Sequence, residues 1–339
     1  MAFDVTGLAV YAPHDTSKVI LSSVFGTKFM KEALSKATIQ TGVKTKANVI
    51  LMDTPVTIQS STGCAWTPSG SATLTDKQIT VASLAVQEEI CAKDVQAKYS
   101  QMEMMKGSDN FDEVVFKEKL IEGKAQRLAE ANENLLIKGD TAGAGNLVFL
   151  DGIAKQVLTG GVVSNAAPFT ASAPILTATG ITTSNVVAIF DGVQNATPAA
   201  LLDSTERVVI CGYDTALKYG QALRNLNLYS YAMTQGGTDE FVIPGTNTRV
   251  MPIAGMNGTN MLIGFEWSNL VIGIDGEGED EKIELGYDSY SKKVRLEAYY
   301  KLGVTFARNS EVVYFKLKTL NDKITENINK SLGAIKKSV

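Results

Sequence analysis

The sequence predicts an α+β fold, and three stretches predict it. Residues 111–138 read as one long charged helix with an apolar stripe, residues 281–317 hold three runs of alternating apolar and polar side chains, and residues 47–86 hold two β-rich runs around a polar tip. A chain of 339 residues, 45% hydrophobic and 20% charged, is long enough to bury a core and fits two subdomains.

In chain order, "DTSKVILSSVFGTKFMKEALSK", residues 15–36, reads as one or two helical turns with an Asp/Thr/Ser cap, weakened by Gly26. Little in it forms a self-sufficient core. "ANVILMDTPVTI", beginning at Ala47, and "QITVASLAV", residues 78–86, are β-rich, and the polar tip between them carries Trp66, Pro68 and Gly70. This pattern is a two-stranded ribbon, which is marginal in water unless it lies on its own core or on another chain. "VQEEICAKDVQAKY", residues 86–99, reads as a short helix. In the long helix from Phe111 to Lys138, Val114, Ile121, Ala125, Leu128 and Leu135 share one stripe, while Glu118, Lys119, Glu122, Lys124, Arg127, Glu130 and Glu133 cover much of the rest. At 1.5 Å per residue it would be roughly 40 Å long. Gly139 is placed to end it as a left-handed cap, so the run "GDTAGAG" terminates a helix and need not cradle a ligand.

Beyond Ser184 the pattern becomes α/β. "SNVVAIFDGVQ" is helical with Ser184 as candidate cap, "RVVICG" at 207–212 is a buried strand, "YDTALKYGQAL" is a second helix, and "FVIPGTNTRVMPI" is a hairpin. The alternating runs "EKIELGYDSY", "KKVRLEAYYKLGVTFA" and "EVVYFKL" follow, with Val294, Leu296, Ala298, Tyr300 and Leu302 on one face, and an antiparallel sheet against the long helix is their natural packing. From Thr319, Leu320, Ile324, Ile328, Leu332 and Ile335 recur at the spacing of an amphipathic helix.

Charge and motifs narrow the function. The net charge of −4 disfavours a dedicated nucleic-acid binder, but residues 1–50 carry +3, residues 315–339 carry +4, and the middle carries −11. The basic ends are either solvated or face a polyanion or a neighbouring copy. With no long apolar span and no basic residue ahead of the first apolar segment, the chain reads as soluble and unexported. Cys64, Cys91 and Cys211 are odd in number and far apart, which argues against a disulfide framework or a zinc site and for a reducing compartment.

The only histidine, His14, has little scaffold for a catalytic triad, and neither GxSxG nor the phosphate-loop spacing occurs. The acidic stretch from Asp275 to Glu284 fails the calcium-loop register, with Asp280 where glycine is required and Gly286 where the bidentate glutamate belongs. No positive case for catalysis, a metal or a cofactor arises.

The order of elements, carried by "ENLLIKGD" followed by "FLDGI", by Met261 to Leu317, and by the ribbon at 54–86, resembles the major capsid proteins of tailed bacteriophages with the Hong Kong 97-type fold. The resemblance implies an N-terminal arm at 1–53, an extended loop at 54–86, a peripheral domain at 87–179 with its spine helix at 111–138, and an axial domain at 180–265. It further implies return strands of the peripheral domain at 266–318 and a C-terminal helical tail at 319–339. It also implies a structural subunit, not an enzyme, that assembles with itself as pentamers and hexamers into an icosahedral shell around double-stranded DNA. The expected partners are a separate scaffolding protein, a portal, and packaged DNA contacted weakly and non-specifically. No cofactor, small-molecule substrate or membrane is expected. The expected location is the virion capsid, assembled in the host cytoplasm.

Trp66, Pro68, Lys77, Leu320, Ile324 and Ile328 are the residues inferred to contact neighbouring copies. In related capsids a ribbon lysine bonds covalently to a neighbour's asparagine with help from a glutamate. Lys77 is the one lysine between Lys46 and Lys93, but neither partner can be assigned to a position. The long charged N-terminal region that serves some relatives as a built-in scaffold is not seen ahead of the arm, which implies a separate scaffold or a mature product.

Two alternatives share parts of the pattern: an encapsulin-type compartment shell, and a soluble α/β enzyme or carbohydrate-binding protein with Trp66 and Trp267 as stacking residues. Core or interface packing is the commoner fate of such tryptophans. Trimming residues 320–339 is expected to impair assembly more than folding, read as shell yield against subunit melting; unchanged yield refutes it.

Overall fold

The computed structural model describes residues 27–54, 56–58, 72–91, 113–159, 180–226, 240–275, 282–288 and 293–317. In chain order the elements are helix α1 (Lys28–Lys36), strands β1 (Thr38–Gln40), β2 (Lys46–Asp53), β3 (Thr73–Thr80) and β4 (Ala82–Cys91), and the long helix α2 (Glu113–Lys138). Helices α3 (Ile153–Thr159) and α4 (Val186–Asn195), strand β5 (Arg207–Cys211), helix α5 (Tyr213–Asn225), and strands β6 (Phe241–Val242) and β7 (Arg249–Pro252) follow. The chain then gives β8 (Met261–Glu266), β9 (Leu270–Ile274), β10 (Lys282–Asp288), β11 (Lys293–Phe306) and β12 (Val313–Lys316).

They form three sheets. In the first, β1 pairs with β9, β9 with β11 and β11 with β10, while β4 also pairs with β11. The second runs β12-β8-β5-β7-β6, and the third is β2 with β3 alone. The α+β expectation holds, and the described part of the long helix lies within one residue or two of its sequence bounds.

The core explains the arrangement. Every residue of β5 is buried, the mark of a strand covered on both faces. Its Val208 and Ile210 face a large core shared with the first sheet and the end of α2, whereas Val209 and Cys211 face α4 and α5 through Phe190, Tyr219 and Leu223. The large core is centred on aromatic contacts: Trp267 meets Phe265 edge-on at 5.4 Å and Phe29 at 5.7 Å, and Phe265 meets Phe306 at 5.4 Å. Trp267 is therefore a core residue, 1% exposed, and no stacking platform for a sugar.

Several elements differ from expectation. Within 15–36 the described helix is α1, capped by Thr27, whose side chain accepts the Met30 amide, and Phe29, Met30 and Ala33 are fully buried. A segment that looked poor in core residues thus contributes to the main core, because its apolar residues need only match a partner that the sequence does not display. The ribbon pairs Lys46–Asp53 with Thr73–Thr80, so residues 78–86 span two strands, with the boundary at Val81. Residues 86–91, read as the start of a helix, continue β4, because ten residues of β11 offer them a ladder from Leu302↔Ala82 to Lys293↔Cys91. The third alternating run, β12, pairs with β8 in the second sheet and not with the sheet against the long helix.

Ser184 does not cap α4. Asn185 stands at that position, its side-chain oxygen accepting the Thr182 amide at 2.8 Å, while Ser184 hydrogen-bonds the Thr182 hydroxyl at 2.9 Å. On α2, Leu135 is buried and Ala125 and Leu128 are half-buried, but Glu133, read as solvent-facing charge, is buried too. The Gly255 amide donates to its Oε1 at 2.7 Å.

Gly139 ends α2 for a different reason from the one its position suggested, since it is not among the residues with positive φ. A Cβ there would lie 2.3 Å from the Leu150 carbonyl and 2.4 Å from that of Leu135. Its carbonyl accepts the Gly152 amide at 2.9 Å, so the two glycines let the chain return against the helix end. Gly139→Ala should cost about 2 kcal/mol or more, because backbone must move. Gly123→Ala, in open space inside the helix, should be neutral or stabilise by up to about 1 kcal/mol. Urea midpoints of the two variants check this pair.

Candidate functional site

The return after α2 gathers the most polar cluster that could be mistaken for chemistry. Lys155 Nζ lies 2.7 Å from both Asp140 Oδ1 and Asp151 Oδ1, and the Thr141 hydroxyl donates to Asp151 at 2.8 Å. Hydrogen bonds from Lys155 and the Ala142 amide hold the Asp140 carboxyl below its ordinary value. For Asp151 burial acts upward, but hydrogen bonds from Lys155 and Thr141 outweigh it. The two carboxylates raise Lys155 in turn, through their hydrogen bonds first. A lysine held protonated is no base, and a carboxylate with a depressed pKa is a poor one, so the threonine has no activator. The cluster is a clasp that closes the loop.

Other charged groups are likewise committed. Asp275, which opens the acidic stretch, is bound by Lys301 at 2.8 Å and Lys44 at 3.2 Å, and the Lys301 hydrogen bond leads the causes that lower its pKa. Arg207 is 2% exposed and lies among neutral acceptors, Gln194 Oε1 at 3.0 Å, Thr248 Oγ1 at 3.3 Å and Thr197 Oγ1. Burial lowers its pKa to about 10. Gln194 lies in the last turn of α4, where the helix dipole offers Arg207 the negative end it lacks as a carboxylate. Burial also pushes the Cys211 thiol upward, which makes it inert. Among the described residues no group of three His, Cys, Asp or Glu side chains is placed to hold a metal ion, and no helix is long and apolar enough to cross a membrane.

The ribbon is the unusual feature. Among the described residues neither β2 nor β3 has a second strand partner. Eight residues at 3.4 Å each give it a reach of about 27 Å. Strand alternation puts Ala47, Val49 and Leu51 on one face with Thr75, Lys77 and Ile79, and Asn48, Ile50 and Met52 on the other with Leu74, Asp76 and Gln78. On that second face Ile50 is 73% exposed, Met52 60% and Leu74 69%, with Met52 and Leu74 directly opposite each other. Val56 and Ile58 continue the exposed apolar series. One exposed leucine is ordinary; a contiguous group on a two-stranded projection is not.

Lys77 lies on the inner face and donates to Asn309 Oδ1 of its own chain at 3.1 Å, with partial burial lowering its pKa. Trp66, Pro68, Leu320, Ile324 and Ile328 lie outside the described residues, as do Gly70, His14 and Cys64. Ile50, Met52 and Leu74 were not singled out by sequence. Their signal was available as apolar residues at i, i+2 in β2 facing one in β3, but choosing between the two faces needed the register.

No protein-family profile and no curated protein matches the sequence. Solved structures do match over most of the chain. A chain of the satellite phage P4 procapsid including size determination (Sid) protein is similar at 13% identity and TM-score 0.55, covering 91% of this chain and 99% of that one. A chain from the capsid of Myoviridae phage XM1 gives 13% identity and TM-score 0.51, covering 84% and 91%. One from Mycobacterium phage Bobi gives 8% and 0.51, covering 84% and 90%. At these identities the likeness is one of fold.

Because Asp140 and Asp151 titrate below their ordinary value, the clasp is intact above about pH 4 and is lost as pH falls through the depressed folded values. In Lys155→Met both carboxyls should titrate at higher pH by NMR than in the wild type. Unchanged titration would mean that the Thr141 and Ala142 donors suffice alone.

Proposed function

We propose that this chain is a structural subunit of the Hong Kong 97 type that assembles with copies of itself into the closed capsid shell of a tailed phage. The observation that carries the reading is the apolar outer face of the ribbon, Ile50, Met52 and Leu74, on a fold similar nearly end to end to a chain of a phage procapsid. Burying one such side chain stabilises by about 1.5–3 kcal/mol, so a single docked ribbon gains several kcal/mol before its costs. Each copy both offers a ribbon and receives one, so the contact is head-to-tail, and such contacts close into rings when the rotation allows. In this reading the rings are pentamers and hexamers.

The subunit is not an enzyme and requires no cofactor. Its Lys155 clasp closes the loop after α2, and buried Arg207 ties Gln194, Thr197 and Thr248 together. The basic ends of the sequence face inward to packaged DNA without base specificity or hold neighbouring copies. A separate scaffolding protein, a portal, assembly in the host cytoplasm and residence in the virion complete the proposal.

The double variant Ile50→Glu with Leu74→Glu tests it. Exposed substitutions should change subunit stability by no more than about 0.5 kcal/mol. Negative-stain microscopy should show closed shells for the wild-type protein and dispersed subunits for the variant. Shells of unchanged yield from the variant, or a wild type that remains a lone molecule at high concentration, would sink the reading.

A further inference from the structure

Strands β3 and β4 are nearly one strand. A single residue, Val81, separates them, yet the partner changes there from β2 to β11. The direction of the ribbon is therefore decided around Val81.

Under this residue the first sheet has a notch. Gly273 of β9 and Gly303 of β11 are direct cross-strand partners. A Cβ on Gly273 would lie 2.8 Å from Val81 Cγ2 and 3.0 Å from Ile79 Cδ1. One on Gly303 would lie 2.6 Å from the Thr80 carbonyl and 3.0 Å from Val81 Cγ2. Neither glycine has positive φ, so both are needed for space and not for backbone conformation. Ile79 and Val81 fill the notch and are buried, and the Val81 amide bonds the Thr45 carbonyl at 2.9 Å.

Further out a second support meets the ribbon. The turn after β11 supplies Asn309, which accepts from Lys77 at 3.1 Å, and Arg308, whose Nη2 donates to the Met52 carbonyl at 3.4 Å. That turn is itself fixed. Asn269, 4% exposed, accepts the Arg308 amide at 2.6 Å and donates to the Arg308 carbonyl at 2.7 Å, while Glu311 takes Arg308 Nη1 at 3.1 Å.

We infer that the direction of the ribbon is set within one chain, by a socket of paired glycines and a brace from Arg308 and Asn309, and that through this direction these residues fix shell diameter. The consequence for diameter rests on the capsid reading. The angle at which a rigid projection leaves each tile is the angle at which the next tile is met, so a small change at the root is multiplied by the ribbon's length. The brace is polar and largely at the surface, so its loss should leave folding intact, since such bonds contribute little to stability. That separates positioning from simple structural support.

The test uses the full chain carrying spin labels on unnatural amino acids at positions 75 and 217, both exposed. Wild-type subunits should give one narrow distance peak. Lys77→Met with Arg308→Gln should lose that peak while keeping the wild-type melting temperature, and Arg308→Lys should retain it. Gly303→Ala should shift the peak, since the Thr80 backbone must move. In assembled samples the Lys77→Met, Arg308→Gln protein should form shells of altered or mixed diameter by electron microscopy. An unchanged peak overturns the mount, and a lost peak with wild-type diameters overturns its role in shell size. A wild type that gives the narrow peak but no shells removes the capsid reading and the claim on diameter with it, while loss of that peak in the variant still establishes the mount.

Discussion

The last turns of α2 are wedged between the two larger sheets, and the rest of the molecule takes its position from that wedge. Leu135, Leu136 and Ile137 are all buried, which a helix lying on one sheet could not achieve, because three consecutive residues point in three directions. Ile137 and Glu133 reach the Ala254–Met256 turn at the end of β7, where a side chain on Gly255 would strike Ile137 Cδ1 at 2.5 Å. The carboxylate of Glu133 satisfies the Gly255 amide in a place water does not reach. Helix, first sheet and second sheet are thereby fastened at one point, and α1 adds a second fastening through Phe29 against Trp267 and Glu32 with Arg249.

A body held so firmly makes the ribbon more conspicuous. Its inner face is packed at Ile79 and half-buried along Ala47, Val49 and Leu51, whereas its outer face is exposed at Asn48, Ile50, Met52 and Leu74. Among the described residues nothing covers the apolar outer face of this two-stranded projection, and the proposed function assigns its burial to a second copy, a partner always present at the protein's own concentration. Polar clusters elsewhere do not compete with this reading, since their charges are spent on one another: Lys155 on Asp140 and Asp151, and Lys301 and Lys44 on Asp275.

Much of the fold was legible. The long helix and β11 follow from periodicity, β5 from an unbroken apolar run, and the hairpin of β6 and β7 from the turn residues between its arms. The ribbon was legible as a ribbon, but its register was not, and a shift of register decides which face carries Ile50 and Met52. Residues 86–91 were misread because a short mixed run of apolar and acidic residues fits a helix and a strand equally well. Only the ten-residue ladder offered by β11 resolves it.

What the sequence determined by itself is the long helix, the ribbon, the α/β run after Ser184 and the lack of the familiar catalytic spacings, because these are properties of neighbours along the chain. Tertiary structure decided the roles of residues whose meaning lies in what faces them. Glu133 became a buried acceptor, Arg207 a buried cation at a helix end, and Gly139, Gly152, Gly273 and Gly303 became space for a neighbouring segment. None of these follows from period or propensity, since a glycine kept for space and one kept for a turn are the same letter until the opposing backbone is in place.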